Sequence, residues 1–475
     1  MCHSIKLIMK SFCDKYIQWL LPLFAIVLTT GCAVHSDEMD FLAQNEAEHT
    51  LVMYLLAENN LSTSIYNNAL DAEEGMIGAS PSTRLVIYLD SADETKLYEV
   101  RYLPYGEGGE HIRHCKTLKT YPRQTSTTAE VMKTVMEDVV KLAPSRTYGL
   151  VMSGHGTGWF PKPTSGIGYE SQKVAPLMPQ VFGGENVEYF FDLWRDNPET
   201  RAMGYDYALG EDGSWNRNEE ESFISSQEII EGLSPIHFNY IIFDACFMSS
   251  IEFLYDMRYS ADYIVASPVE ILAVGLPYTE IVSTLMKHTS NIRRLGDVVM
   301  DVYMRDNSFT SRKSLALTMI DCSKLDDLAD AVAAIYSSTG AEDCVSLVEQ
   351  RLQKAIWNGQ ELPYFEGIQT LDRMRPAGFH DFEDFVLALT DDKALEERFL
   401  AAFDDVVVWN CHTEDIFAQG YSLDGMAYGG DNIEYKVGGK LSLCGISTYI
   451  PIREAPTTLS YYLQTPWAQK IYQAN

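Results

Sequence analysis

Basic residues are scarce in this sequence: 36 Lys and Arg stand against 67 Asp and Glu, a formal net charge of −31 over 475 residues. That balance argues against a nucleic-acid partner, because phosphate binding needs a basic face. The sequence also lacks a P-loop, an H-E-x-x-H pair and a G-x-S-x-G elbow, the signatures of phosphate-loop enzymes, zincins and α/β-hydrolases. No C-x-x-C occurs. The cysteines (Cys2, Cys13, Cys32, Cys115, Cys246, Cys322, Cys344, Cys411 and Cys444) are scattered, without a zinc pattern or a dense disulfide framework, although one or two disulfides stay open. There is no internal repeat and no low-complexity stretch. What is present is apolar: 46% of residues are hydrophobic and 12% aromatic, enough for substantial cores. The length exceeds what one core usually supports, so two domains are expected.

The N-terminus reads as a targeting segment. Lys6, Lys10 and Lys15 precede an apolar run from Ile17 to Leu28. That run is too short to span a bilayer and suits a signal-peptide core. Leu28-Thr-Thr-Gly31-Cys32 resembles a bacterial lipobox, with Thr29 where Leu is usual. It implies a signal peptide over 1–31, lipidation of Cys32, and export to the cell envelope with a lipid anchor in the membrane. The alternative is a cleaved, soluble secreted chain. Acidic residues 37, 38 and 40 make 32–48 a flexible tether.

From there strand and helix alternate. Leu51–Ala57, Arg84–Asp90, 148–153, 240–245, Tyr263–Ser267 and Leu315–Ile320 read as strands. Leu97–Leu103 and 111–120 read as an edge hairpin. Glu58-Asn-Asn-Leu61-Ser is expected to begin a polar loop and a helix to about Gly75, and further helices are expected over 127–142, 225–233, 247–258 and 324–338. This is an α/β pattern with a mainly parallel sheet flanked by helices, over 49–338. Residues 339–475 read as a C-terminal α+β region packed on it. Helices are placed there at 341–356, 381–391 and 394–403, and strand pieces at Asp405–Val408, Tyr435–Val437 and Gly445–Ile450. The segment 159–223 is long for a connection inside a domain and points to a functional or processed loop.

Two strand ends carry reactive side chains. One reads Tyr148-Gly-Leu-Val-Met-Ser-Gly-His155-Gly-Thr-Gly-Trp159, the other Tyr240-Ile-Ile-Phe-Asp244-Ala-Cys246-Phe-Met. Neighbouring parallel strands present such residues at one edge, as a thiol nucleophile with an imidazole base requires. Cys246 is expected directly before a helix, whose dipole would lower the thiol pKa, as would a nearby imidazole. The N–H groups of Gly156 and Cys246 are oxyanion-hole candidates. Taken singly, a His after a strand is usually structural and a Cys in an apolar run is usually core. His111-x-x-His114-Cys115 matches a metal spacing, but on an edge hairpin it reads as solvent-facing chance.

These segments resemble the clostripain family of cysteine peptidases, relatives of gingipains, legumains and caspases. The resemblance extends over Leu51–Leu61 with its Asn-Asn-Leu, Ser153–Trp159, Phe243–Met248, Ala261–Pro268, Gly275–Tyr278 and Gly445–Pro451. It implies a caspase-like fold and a His155/Cys246 dyad that hydrolyses peptide bonds of protein or peptide substrates through an acyl-enzyme. It also implies a preference for Arg or Lys before the scissile bond, hence an acidic pocket. Asp244 and Glu270 are the candidates, Asp244 equally a structural carboxylate beneath Cys246. Glu58 stands where the family has Asp, and 268–274 lacks the family's glycines. Self-cleavage in 159–223 has basic candidates in Lys162, Lys173, Arg195, Arg201 and Arg217. No cofactor is needed for the chemistry. Calcium at Asp206, Glu211 and Asp212 is possible, without an EF-hand pattern. The rival readings are a catalytically silent peptide-binding lipoprotein and an acyl transferase or amidase on the same fold.

Overall fold

The structure is a computed structural model. It describes residues 46–160, 202–203, 208–209, 215–216 and 223–472, less 92–93, 106–109, 288, 342, 353, 358–359, 374–377, 422–426, 434–440 and 454–455. The signal segment, Cys32 and the tether up to residue 45 lie outside the described residues. So do all the self-cleavage candidates, the acidic residues 206, 211 and 212, and the strand expected at 435–437.

A strand that is apolar at nearly every position must be covered on both faces. β1 (Ala47–Leu56) and β2 (Thr83–Asp90) carry unbroken apolar runs of this kind at Leu51–Leu56 and Leu85–Leu89, and β2 is buried throughout. They pair in parallel. β3 (Thr95–Tyr105) and β4 (Glu110–Tyr121) form the expected edge hairpin. With β5 (Ser145–Ser153), β6 (Phe238–Asp244), β7 (Ala261–Ala266), β8 (Ala316–Asp321) and β9 (Val407–His412) they make a nine-stranded sheet of order β9-β8-β7-β6-β5-β1-β2-β3-β4. β6 runs parallel to β5 and to β7. Both edges are antiparallel: β2 with β3, β3 with β4, β7 with β8, and β8 with β9.

Side chains alternate across this sheet with the two-residue period of a strand. Val52, Tyr54 and Leu56 enter one core, Leu51, Met53 and Leu55 the other. The first core is covered by α2 (Ala129–Leu142), α3 (Ser226–Leu233), α4 (Ile251–Met257) and α7 (Leu325–Thr339). The second is covered by α1 (Ser62–Gly75), α5 (Tyr278–Lys287) and α6 (Leu295–Arg305). Local signals set the helix starts. Thr128 accepts from Val131 N at the head of α2, and Ser225 with Glu228 forms a capping box at the head of α3.

The C-terminal region joins the first core with α8 (Cys344–Arg351), α9 (Phe382–Ala388), α10 (Lys393–Val406), α11 (Pro456–Tyr462) and α12 (Pro466–Tyr472). It also supplies β9, the sheet's last strand, and Glu48–Asn475 form one compact unit. Three local expectations change. The helix placed over 341–356 stops at Arg351, and Lys354–Trp357 pairs with Gln360–Phe365 as a hairpin. In the sequence Asn358-Gly359, a strong hairpin dipeptide, stands between these two strands and outweighs the helical pattern. The strand placed at Asp405–Val408 begins at Val407 because α10 continues to Val406. Of Gly445–Ile450, Ser447–Thr448 is strand. Among the described residues no helix is long and apolar enough to cross a membrane.

Candidate active site

Ser153 lies opposite Asp244 in the parallel β5–β6 pair, so both chains leave the sheet at one edge. Gly154 N donates to the Asp244 carbonyl at 3.3 Å, carrying the pairing past the end of β5. His155 follows on one chain and Cys246 on the other. Gly156 then rests on the main chain of Cys246. A Cβ at Gly156 would stand 2.4 Å from the Cys246 carbonyl oxygen, 3.0 Å from Cys246 N and 3.0 Å from Ala245 Cβ. A residue without a Cβ is what permits this approach. Gly156 also forms an isolated bridge with Met203, so its main chain meets the returning end of the long loop.

Cys246 is not at a helix N-terminus, which corrects the sequence expectation. Residues 246–249 form a turn, and α4 starts at Ile251. Phe247 adopts φ 61° and is the non-glycine residue with positive φ among the described residues. A bulky side chain there costs about 1–3 kcal/mol, so its surroundings must hold it. Phe247 N donates to Val269 O at 3.0 Å, and Ser249 N to Ser267 O at 2.9 Å. The ring stacks on Phe379, centroids 4.2 Å apart and planes at 3°, worth about 0.5–1.5 kcal/mol beyond burial. Only the long turn, not the sequence, could reveal that a main-chain bend rather than a helix presents the thiol.

Sγ of Cys246 accepts from Ile271 N at 3.4 Å. Burial pushes this thiol up to about 12, with the charges of Glu270 and Asp244 adding to the rise and the Ile271 N–H opposing it. The expected lowering is therefore not the resting condition: the group is a neutral thiol. Burial also lowers the His155 pKa, so the imidazole is neutral at pH 7. His155 Nε2 is 2.7 Å from Asn60 Oδ1. An accepting amide oxygen puts the ring proton on Nε2 and the lone pair on Nδ1. Asn60 reaches this position because Asn59 closes the turn after β1, donating to Leu56 O at 2.9 Å and accepting from Leu61 N at 2.8 Å. The Asn-Asn-Leu run was visible in the sequence, but nothing there assigned Asn60 to His155.

Asp244 is buried under this turn. Its Oδ2 accepts from Tyr278 OH at 2.7 Å and from Ser153 Oγ at 3.3 Å. Gly275, at φ +73°, leaves room for it, since a Cβ there would be 2.7 Å from Oδ2. Burial raises the carboxyl to about 6, against hydrogen bonds from Tyr278, Ser153 and the Leu276 main chain. Among the described residues no cation pairs with it. Glu270 is half-buried and near enough for its charge to act on Cys246. Glu58 is buried and paired with Arg123 at 3.3 Å, so that acid carries a salt bridge at the first turn.

The raised carboxyl of Asp244 has a consequence for stability. The folded state holds this proton more tightly than the unfolded chain, so the stability it contributes is complete below about pH 4. It is lost as pH rises through about 6. Asp244→Asn is expected to flatten the slope of urea-unfolding stability in that window relative to the native chain. An unchanged slope would remove Asp244 from this role.

Cys115, Cys246, Cys322, Cys344, Cys411 and Cys444 are all free thiols. His111 and His114 lie on the exposed β4 edge, and the His111 ring stacks on Tyr102. Among the described residues no group of three or more His, Cys, Asp or Glu is placed to hold a metal ion.

Comparison with known proteins places this geometry. The sequence model of the clostripain family, peptidase C11, matches residues 192–362, a stretch that contains Cys246. A secreted C11 cysteine protease from Bacteroides thetaiotaomicron, "iotapain", superposes with TM-score 0.63 at 24% identity over 90% of this chain and 99% of that one. A structure described as a secreted C11 cysteine protease from the same organism, in complex with an irreversible peptide inhibitor, gives TM-score 0.65 at 22% identity, with the same coverage of 90% and 99%. An inactive zymogen C11 protease from Parabacteroides distasonis gives 0.62 at 22%, again over 90% and 99%. No curated protein matches. The family resemblance read from the motifs is thus the one returned by the family model, and the fold is the caspase-like α/β fold of C11 proteases.

Proposed function

We propose that this chain, with the fold of the C11 cysteine proteases and the clostripain match around Cys246, is an exported cysteine endopeptidase using His155 and Cys246. The carrying observation is the seat of Gly156 on the Cys246 main chain, which locks the two loops together where β5 and β6 end. His155 takes the thiol proton on Nδ1 as sulfur attacks the scissile carbonyl. The Gly156 and Cys246 N–H groups face the oxyanion, the imidazolium returns the proton to the leaving amine, and water, deprotonated by His155, cleaves the thioester. The neutral resting thiol suits a chain awaiting activation. One similar structure is described as an inactive zymogen, and cleavage at Lys173, Arg195, Arg201 or Arg217 is the proposed trigger. Similar proteins described as secreted support export; Cys32 would add the lipid anchor.

The preference proposed is for Arg or Lys before the cut. An Asp244 carboxylate with no cation partner among the described residues, and Glu270 beside the thiol, favour a cationic side chain. The reading needs no cofactor. Calcium at the 204–221 loop remains a proposal, tested by turnover with and without a chelator.

A panel of fluorogenic peptides varied before the cut tests the reading, with the mature and trypsin-treated protein. Turnover of Arg or Lys peptides is expected, and its absence with every peptide would favour the silent peptide-binding alternative. Asp244→Ala and Glu270→Ala should each reduce Arg-over-neutral preference, by about 10- to 10²-fold for the acid that meets the cation. An undiminished preference removes that acid from the pocket. Asn60→Ala is expected to lower kcat by roughly 10- to 10²-fold at similar KM, through loss of imidazole orientation. Unchanged kcat would make the Asn60 contact incidental.

A further inference from the structure

We propose that Phe379 is a positioning residue that holds the His155 loop and the Cys246 turn in register from the C-terminal region; this rests on the peptidase reading above. One buried ring touches both loops. Its face lies on Phe247, centroids 4.2 Å apart, immediately after Cys246. It meets the Phe160 ring in a T-shaped contact, centroids 5.0 Å apart and planes at 88°, and its Cε1 lies 3.0 Å from where a Gly158 Cβ would be. Gly158 and Phe247, the two residues it covers, both have φ 61°. The strained Phe247 of one loop and the left-handed Gly158 of the other therefore share one support.

The support is itself fixed. Gly378 N and Phe379 N donate to Asp372 Oδ2 at 2.8 and 2.7 Å, and Leu371 N donates to Phe379 O at 2.9 Å. The next residues, His380–Asp381, pair with Ser447–Thr448. Ser447 N donates to Ser249 O at 2.9 Å, and Ser249 Oγ donates to Gly445 O at 2.7 Å. The same C-terminal ladder thus grips the Cys246 turn three residues past the thiol and carries the ring. A core residue that only filled space would not need to meet both loops. Phe399 is such a residue: equally buried, it packs on Phe382 and Phe403.

The test uses the full chain and two readouts. The first is alkylation of Cys246 by iodoacetamide across pH, followed by mass spectrometry of its peptide, which needs no substrate. The second is peptide turnover. Phe379→Ala is expected to move the pH midpoint of Cys246 labelling downward by at least about one unit, as the released turn exposes the thiol. The same variant should lose about 10²-fold in kcat with KM within about threefold. Labelling thus quickens while catalysis slows. Phe379→Leu should fall between, and Phe399→Ala should lower Tm while leaving both readouts in place. The inference fails if folded Phe379 variants label and turn over like the native chain, if Phe399→Ala reproduces their changes, or if neither Phe379 variant unfolds cooperatively. If no protein in the set turns over any peptide, the peptidase reading fails, and the labelling shift still decides the brace.

Discussion

Cys246→Ala is expected to lower peptide hydrolysis by on the order of 10⁵-fold or more, with the fold retained. The turn that carries residue 246 does not depend on sulfur. It is held by Phe247 N to Val269 O, by Ser249 N to Ser267 O, and by the Phe247–Phe379 stack. Sulfur contributes one acceptor, to Ile271 N at 3.4 Å, and one weak donor, to Ile271 O at 3.8 Å. Losing it should change Tm by a few degrees at most. The chemistry has no substitute, because a nucleophile and its base act as a unit. Cleavage in the 159–223 loop should stop in the same variant if it is self-catalysed. Steady-state turnover, calorimetry and gel mobility check the three parts. Retention of more than about a hundredth of the activity would place the nucleophile elsewhere.

Gly156→Ala is the second large effect, expected at 10²-fold or more in kcat. The added methyl would meet the Cys246 carbonyl at 2.4 Å and its nitrogen at 3.0 Å. Those atoms are main chain and cannot rotate away, so one loop must shift against the other. Overpacking of this kind typically costs about 1–3 kcal/mol in stability. The activity loss should exceed what that destabilisation leaves unfolded at assay temperature. A variant with native kcat and lowered Tm would mean that the contact serves packing alone.

The sheet was readable because its central strands carry continuous apolar runs, which only burial on both faces accommodates. Residues 148–153 and 240–245 therefore predicted both the strands and the edge where His155 and Cys246 emerge. The sequence gives no signal for helices α5 and α6: they follow the irregular segment after Pro268, where no strand or cap announces them. The expected start of α4 at residue 247 was early because helical propensity cannot show that Phe247 takes a positive φ. That conformation is imposed by contacts with Val269 and Phe379, remote in sequence.

The sequence by itself determined the α/β class, the two reactive strand ends and the acidic balance, since these depend on residue type and short-range period. Tertiary structure alone decided the state of the reactive groups. Burial makes Cys246 a neutral thiol, and Asn60, almost a hundred residues from His155, sets the imidazole tautomer. Phe379 reaches both loops from the far side of the chain. Desolvation, hydrogen bonding and close approach act through space, and a linear pattern does not encode which distant side chains supply them.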